Sequence, residues 1–433
     1  MFATERRLEV QHDLRTRLAD ARSQTDKLFE IVRREALYER PIPERHRIIF
    51  YVGHLEAFDW NLLRPHLAGI KPFHPQFDQL FAFGIDPVDG GLPTDQPRDW
   101  PSLDQVRGYV NRVRNSLDGA LDHVTDLTLL HVAIEHRLMH AETLAYMFHQ
   151  LPLEDKAREE EHAEPSGVPV DFRMVEIPAG EARLGLSRND GAAFGWDNEY
   201  EAHTVAVPAF AIDQFKVTNG QFLRFLDAGG YDDASLWSPV DWAWKNEANI
   251  KQPVFWKHRD GSWFQRTMFA EIPLPQDWPV YVSHAEASAY ARWAGKKLPS
   301  EAQWHRAAYG SGEDSERAYP WGTEGPRRRH GYFDFLKWDP SPVNAFPRGH
   351  SAFEVAGLLG NGWEWTSSVF APFDGFEAFP FYPGYSANFF DGKHYVMKGG
   401  SPRTEACMLR RSFRNWFQPH YQYVYAGFRC VSE

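Results

Sequence analysis

The fragment EHRLMHAE places His136 and His140 four residues apart, with Glu142 two residues further on. Residues four apart on a helix stack on one face with Cβ atoms about 5 to 6 Å apart, close enough for two imidazoles to bind one metal ion. Glu142 leaves that face and suits a supporting group better than a third ligand. A helix-borne pair draws its remaining ligand from a facing helix, and YVGHLEAFDWN offers His54 among Phe50, Leu55 and Phe58, a core-facing turn where an unpaired imidazole is costly. Three neutral imidazoles leave three octahedral positions open, which suits Fe(II) taking a substrate and O2 together. Tetrahedral zinc with one water fits equally well by ligand type. Spacing alone is also compatible with a solvated helix face and a hydrogen-bonded core His54, the more so because His46, His66, His123 and His131 are further histidines in the region.

The C-terminal part carries a second group of chemical residues. GLLGNGWEWTSS (357–368) and KGGSPRTEACMLRRSFRNWFQPHYQYVYAGFRC (398–430) combine arginine, asparagine and aromatic rings between glycines. Such a run can set a guanidinium, an amide and ring faces around a small cation or carboxylate. The competing reading is a buried aromatic core with Arg411 and Arg414 in structural ion pairs, and composition alone favours it.

The elements that must hold these residues follow from periodicity. Leu14, Leu18, Ala21, Leu28 and Val32 recur at helical spacing and predict a helix from Glu5 to about Arg40. Pro41 and Pro43 end it, and a second helix is expected over about 44–63, with Pro43 at its first turn. The Pro-, Gly- and Phe-rich stretch 65–101 predicts a connection without a long element. Ser102 followed by Gln105 predicts a capped third helix to about Leu117, and a fourth over 121–150 completes a four-helix bundle. LEDKAREEEHAEPSGVP has little to bury and predicts a linker, so the chain divides into a bundle (1–152), a linker (153–169) and a second domain (170–433). In that domain FRMVEIPAGEARLG, HTVAVPAFAIDQF and HYVMKGGS predict β hairpins and long loops, interrupted by two helices over 219–228 and 284–294 behind Thr218 and Ser283 caps.

A chain of 433 residues exceeds one ordinary core, and 15% aromatic content with 16 Trp suits a loop-rich, aromatic-packed domain. A net charge of −12 without a basic face argues against nucleic acid or an anionic membrane as partner, which leaves small molecules. No apolar run reaches membrane-spanning length, and MFATERRLEV lacks an apolar signal region, so a cytoplasmic protein is expected. Cys407 and Cys430 are expected to be reduced thiols.

Taken in order, FRMVEIPAGEARLG, FGWDNEYEAHTVAVPAFAIDQFKVTNGQF, PVYVSHAEASAYARWAGKKLPSEAQWHRAA, GNGWEWT, KGGS and AGFRC resemble the formylglycine-generating-enzyme fold, a C-type-lectin-like α+β domain, over about 170–433. The upstream bundle, with a histidine followed by HxxxHxE, is of the DinB kind. The pair resembles the nonheme iron sulfoxide synthases of ergothioneine and ovothiol biosynthesis and the related selenoneine synthase. The resemblance implies an α+β chain with Fe(II) on His54, His136 and His140, and a site for Nα-trimethylhistidine (hercynine) lined by RNWF, with Asn415 and Trp416 matching the family pattern. It implies O2-dependent bonding of the hercynine imidazole C2 to sulfur or selenium, assisted by a tyrosine hydroxyl for which Tyr385 and Tyr421 are the candidates. Phe417, Arg411 and, in the bundle loop LFAFGID, Phe83 complete the expected binding residues.

Departures from the family pattern narrow the donor. Formylglycine-generating enzymes need two neighbouring cysteines in the GGS region, where Cys407 stands alone. Phe417 occupies the acidic position that accompanies γ-glutamylcysteine use, and the first-histidine word is HLEAFDW rather than HLAH. Elimination points to a selenosugar donor, with cysteine next. A structural Ca2+ at GNGWEWT, with Asn361 as an oxygen ligand, is a further expectation. Two other classes compete: a non-catalytic lectin-like binding module and a zinc hydrolase on the same histidines.

Overall fold

The computed structural model describes residues 2–85, 91–157, 171–190, 194–312 and 315–433. The chain forms two compact units, Met1–Glu160 and Glu161–Glu433. No helix among the described residues is long and apolar enough to cross a membrane.

The first unit is helical. Its helices are α1 (Phe2–Phe29), α2 (Ile48–Leu63), α3 (Pro75–Phe83), α4 (Leu103–Asp118) and α5 (Leu127–Gln150). Leu14, Leu18, Ala21 and Leu28 form the buried stripe of α1, as their spacing requires. The helix stops at Phe29 rather than continuing to Arg40. Val32 instead pairs as a β-bridge with Lys156, and the Arg33 amide donates to the Asp155 carbonyl at 2.9 Å, so a distant segment captures the backbone. Residues 153–157, read as the start of a linker, therefore belong to the bundle. The remainder of that stretch, 158–169, lies outside the described residues.

α2 starts four residues later than expected, and α5 six, because Leu121–His123 closes a separate 3-10 turn before Asp126 caps α5 through the Thr128 amide at 2.9 Å. α4 begins where the Ser102–Gln105 pair places it, each residue satisfying the other's backbone amide. The connection 65–101 contains a helix that was not expected. In α3, Pro75 occupies the first turn and the preceding His74 ring accepts the Phe77 amide at 3.3 Å.

The second unit is a set of small sheets joined by loops and short helices. Strands β1 (Met174–Ile177), β2 (Gly180–Leu184), β3 (His203–Val207) and β4 (Phe210–Asp213) precede helices α6 (Asn219–Asp227) and α7 (Pro239–Glu247). Then come β5 (Trp256–Arg259), β6 (Ser262–Arg266), β7 (Glu271–Pro273), α8 (His284–Trp293), α9 (Glu301–Tyr309) and β8 (Trp363–Val369). The chain ends with β9 (Tyr395–Lys398), β10 (Asn415–Phe417), β11 (Ala426–Gly427) and β12 (Val431–Ser432).

HTVAVPAFAIDQF is not a hairpin. β3 pairs with β2, whereas β4 lies between β1 and β12, because Pro208 cannot donate to a ladder and turns the chain into another sheet. A true hairpin joins β5 to β6 through Asp260 and Gly261, both at positive φ (51° and 75°), the geometry that matches strand twist. Among the described residues four helices, not two, interrupt the strands. α7 and α9 were missed although Ser238 and Ser300 cap them in the manner of Thr218 and Ser283. Trp304 on α9 is fully buried among Ile177, Phe210, Ile212, Leu358 and Leu409, and its indole N–H donates to Glu364 at 2.9 Å. β9 joins β8 to β10, with Asn415, Trp416 and Phe417 facing Met397, Val396 and Tyr395 in register.

Candidate metal centre

His54 on α2 meets His136 and His140 on α5, and one nitrogen from each ring lies within 4.8 Å of the others. His54 Nε2 and His140 Nε2 are 3.2 Å apart. Metal–nitrogen bonds near 2.1 Å put neighbouring ligands about 3.0 Å apart in an octahedron and about 3.4 Å apart in a tetrahedron, so the His54–His140 pair fits either. His54 Nδ1 donates to the Phe81 carbonyl at 2.7 Å. Only a protonated Nδ1 can make that bond, so the tautomer is set and the Nε2 lone pair is left for a cation.

The acceptor carbonyl belongs to α3, and α3 can lie there because residue 53 is glycine. A Cβ at Gly53 would come within 2.4 Å of the Phe81 ring. Ring contacts fix the other imidazoles. Phe58 stacks on His136 with centroids 3.4 Å apart, Phe50 stacks on His54 at 4.7 Å, and Tyr51 lies 5.8 Å from His140. Burial holds His54 down to about 4, against a weaker upward pull from the Phe81 bond. It holds His136 and His140 well below the ordinary imidazole value, with neighbouring histidines adding to the effect. The donor set is thus neutral near pH 7, as metal ligation requires.

The register of α2 against α5 is held by a buried ionic cluster. Arg137, next to His136, reaches Glu56 at 2.7 Å and Asp59 at 2.8 Å, and Arg114 ties Glu56 at 2.6 Å to Asp26 at 2.7 Å. Burial alone would raise the Glu56 carboxyl, but Arg137, Arg114 and Arg22 outweigh it and hold it ionised. Breaking such a pair strands a charge, so α2 and α5 resist sliding. Glu142 is buried on the same helix. The sequence offered no sign of Phe81 as the His54 partner; its one available signal was His74-Pro75 opening a short helical word, PQFDQLFAF.

In the second unit Trp416 stacks on Phe370 at 4.1 Å and 7°, and Tyr385 meets its edge at 5.4 Å. Tyr385 is almost fully buried, its ring stacked at 4.0 Å on Trp196, a residue that sequence reasoning did not single out. Asn415 Oδ1 accepts the Trp416 amide at 2.9 Å. Arg414 pairs with Glu301 at 3.1 Å and lies over Phe373 at 4.0 Å, so the structural ion-pair reading holds for it. Phe417 and Tyr421 stack on each other at 5.0 Å, separately from Tyr385. Arg411 pairs with Glu316 at 3.0 Å, and Phe83 ends α3 in the first unit with 65% of its surface exposed. Cys407 is exposed and Cys430 buried, and neither forms a disulfide.

GNGWEWT is engaged by protein groups. The Asn361 amide exchanges two hydrogen bonds with the Ser341 backbone, at 2.9 and 2.8 Å, while Glu364 accepts from Lys216, Arg429 and Trp304. Lys216 and Arg429 supply the positive charge that a calcium ion would bring to Glu364, which leaves the expected site no open carboxylate.

Comparison with known proteins agrees with this architecture. The sulfatase-modifying factor enzyme 1-like domain matches residues 160–433, and the DinB superfamily matches 17–150. The chain is 33% identical to the hercynine oxygenase of Mycolicibacterium thermoresistibile over 97% of its own length and 94% of that protein. It is 42% identical to the hercynine oxygenase of Mycobacterium tuberculosis over 54% of this chain and 55% of that one. Ergothioneine biosynthesis protein 1 of Neurospora crassa is 29% identical over 93% of this chain and 56% of its own. The chain therefore belongs to the sulfoxide synthase family, oxidative enzymes that combine a DinB superfamily bundle with a sulfatase-modifying factor enzyme 1-like domain.

Proposed function

We propose that the protein binds Fe(II) through His54, His136 and His140 and uses O2 to join imidazole C2 of hercynine to a selenosugar or thiol donor. The observation that carries this reading is the buried, neutral three-imidazole cluster within 4.8 Å, in a chain that aligns almost end to end with a protein named hercynine oxygenase. Held by His54, His136 and His140, an Fe(II) ion would supply the redox chemistry that activates O2 beside the thiol or selenol donor. In the overall change the C2–H and S–H or Se–H bonds break; one oxygen atom ends on the chalcogen and the other leaves as water.

The chain's own groups bind, orient and donate. The Phe81 carbonyl keeps His54 Nδ1 protonated, and Phe58 and Phe50 hold ring planes by stacking. The Trp416 ring, with Phe370 on one face, would take the trimethylammonium group of hercynine on the other by cation–π attraction, and the Asn415 amide, whose Oδ1 accepts the Trp416 N–H, would donate through Nδ2 to the hercynine carboxylate. Tyr385, at the Trp416 edge, is the proton donor through Oη, ahead of Tyr421, which stacks on Phe417 instead. The flat Phe417–Tyr421 pair suits a sugar ring better than a charged peptide, which favours the selenosugar donor. The relative named ergothioneine biosynthesis protein 1 favours cysteine as the second reading.

The test is anaerobic loading with Fe(II), then oxygen, hercynine and, in parallel, a selenosugar, cysteine or γ-glutamylcysteine, with products read by mass spectrometry. Wild type forms a hercynine adduct and His140→Ala does not; Tyr385→Phe binds hercynine but makes less adduct. An iron-loaded protein with neither adduct nor oxygen uptake refutes the synthase and returns the binding module. Activity with zinc in the absence of oxygen would establish the hydrolase instead.

A further inference from the structure

The second unit contains a groove that the hercynine chemistry does not use. It has a volume of 580 Å³ and is lined by Arg183, Arg306, Arg411, Thr204, Glu181 and Glu316, with Ser315 beside them. The size is that of a small-molecule site. Its charges are not all balanced from within. Glu316 accepts from the Arg183 amide at 2.8 Å, His305 Nε2 at 3.0 Å and Arg411 Nη1 at 3.0 Å, so its two oxygens are committed and Arg411 is neutralised.

Arg306 has no such counterpart. It is only 4% exposed, yet it pairs with no carboxylate among the described residues. Its Nη1 and Nη2 reach only the backbone carbonyls of Glu181 and Ala179, at 3.5 and 3.4 Å, and its Nε is buried without a hydrogen-bond partner. Glu181 lines the same groove and forms no ion pair with it. Local backbone chemistry is adapted to this placement: a Cβ at Gly180 would stand 2.3 Å from Arg306 Nη2, so only glycine lets the guanidinium lie along β2. Phe353 lies beneath it, 5.6 Å from the guanidinium carbon. A guanidinium taken out of water and left without an anion is expensive, and a planar fork beside two further arginines matches the paired oxygens of an oxyanion.

We propose that this groove is a binding site for a small oxyanion ligand, a phosphate-bearing metabolite or a carboxylate, held by Arg306 with Arg183 and Arg411 and by the Thr204 and Ser315 hydroxyls. The site is separate in chemistry from the Trp416–Tyr385 cluster and does not depend on the reaction proposed above. It also gives Arg411 a role in anion binding away from hercynine. Against a net charge of −12, a groove in which three guanidinium groups outnumber the two carboxylates of Glu181 and Glu316 is locally positive and attracts anions.

Isothermal titration calorimetry on the full-length protein tests this, with inorganic phosphate in one arm and succinate in the other, at low chloride. Wild type binds at least one of the two with a dissociation constant below about 1 mM, and the arm that binds names the ligand class. Arg306→Gln weakens binding at least about tenfold, and Arg306→Lys retains part of it. Because Arg306 is buried, Thr204→Glu serves as the second variant. It adds a carboxylate at an exposed rim position and weakens binding by a similar factor without touching the fold. Absence of binding by wild type up to about 10 mM of either anion, or binding unchanged in both Arg306→Gln and Thr204→Glu, overturns the proposal.

Discussion

Replacing Gly53 with alanine tests whether α3 organises the metal ligands. The added Cβ would meet the Phe81 ring at 2.4 Å, where ordinary contact begins at 3.4 Å, so helix and ring must separate by about 1 Å. Phe81 also provides the carbonyl that accepts from His54 Nδ1 at 2.7 Å. A retreat of that size takes the acceptor to about 3.7 Å, beyond hydrogen-bond reach. Two energies follow. Alanine favours a helix interior by about 1 kcal/mol over glycine, and overpacking costs about 1 to 3 kcal/mol, so the metal-free protein loses up to about 2 kcal/mol. Losing the group that orients a ligand histidine typically lowers metal affinity about 10- to 100-fold, equivalent to about 1.4 to 2.7 kcal/mol. Anaerobic competition for Fe(II) or Co(II) against a coloured chelator reads the second quantity, and thermal melting of the chelated protein reads the first. Combining Gly53→Ala with Phe81→Ala removes the clash and restores affinity to within about threefold of Phe81→Ala alone. Unchanged metal affinity in Gly53→Ala refutes the claim that the α3 carbonyl positions His54.

Three further outcomes follow from buried charge. Arg137→Met removes the nearest cation shared by Glu56 and Asp59, leaving Asp59 only the more distant Arg22 at 3.7 Å, and destabilises the bundle by about 3 to 5 kcal/mol in urea denaturation; a loss under about 1 kcal/mol would show that Arg137 does not hold α2 against α5. Burial and the neighbouring Asp334 push the Glu405 carboxyl up to about 8, so the folded state holds a proton that the unfolded state releases above the ordinary carboxyl value of 4.5. Its contribution is complete below pH 4.5 and is lost as pH rises toward 8, with a slope of at most about 1.4 kcal/mol per pH unit; Glu405→Gln flattens the stability profile over that window, and an unaltered profile contradicts the assignment. The Arg403 guanidinium is buried with no hydrogen-bond partner at any nitrogen among the described residues, lying 4.0 Å over Trp338 and 5.1 Å over Phe335. Arg403→Met therefore costs less than about 1 kcal/mol in denaturant midpoint, whereas a loss above about 3 kcal/mol would mean that those donors are satisfied in solution.

Sequence alone determined those features that depend on neighbours a few residues away. The four-residue spacing of His136 and His140, the Ser102–Gln105 cap that starts α4 and the apolar stripe of α1 are set by helix geometry, which repeats every turn whatever else the chain does. The α7 and α9 caps were equally local and could have been found from Ser238 and Ser300. Tertiary structure decided the rest, because each case turns on a partner far along the chain. α1 ends where Lys156 captures Val32, and HTVAVPAFAIDQF divides between sheets because β4 finds β12 at the opposite end of the second unit. α3 rests on a glycine in α2, while Arg411 turns to Glu316, 95 residues away. The histidine triad combines both kinds of information. Its spacing on α5 is local, but its third member, its tautomer and its neutrality come from α2, from the Phe81 carbonyl and from burial, none of which a periodicity records.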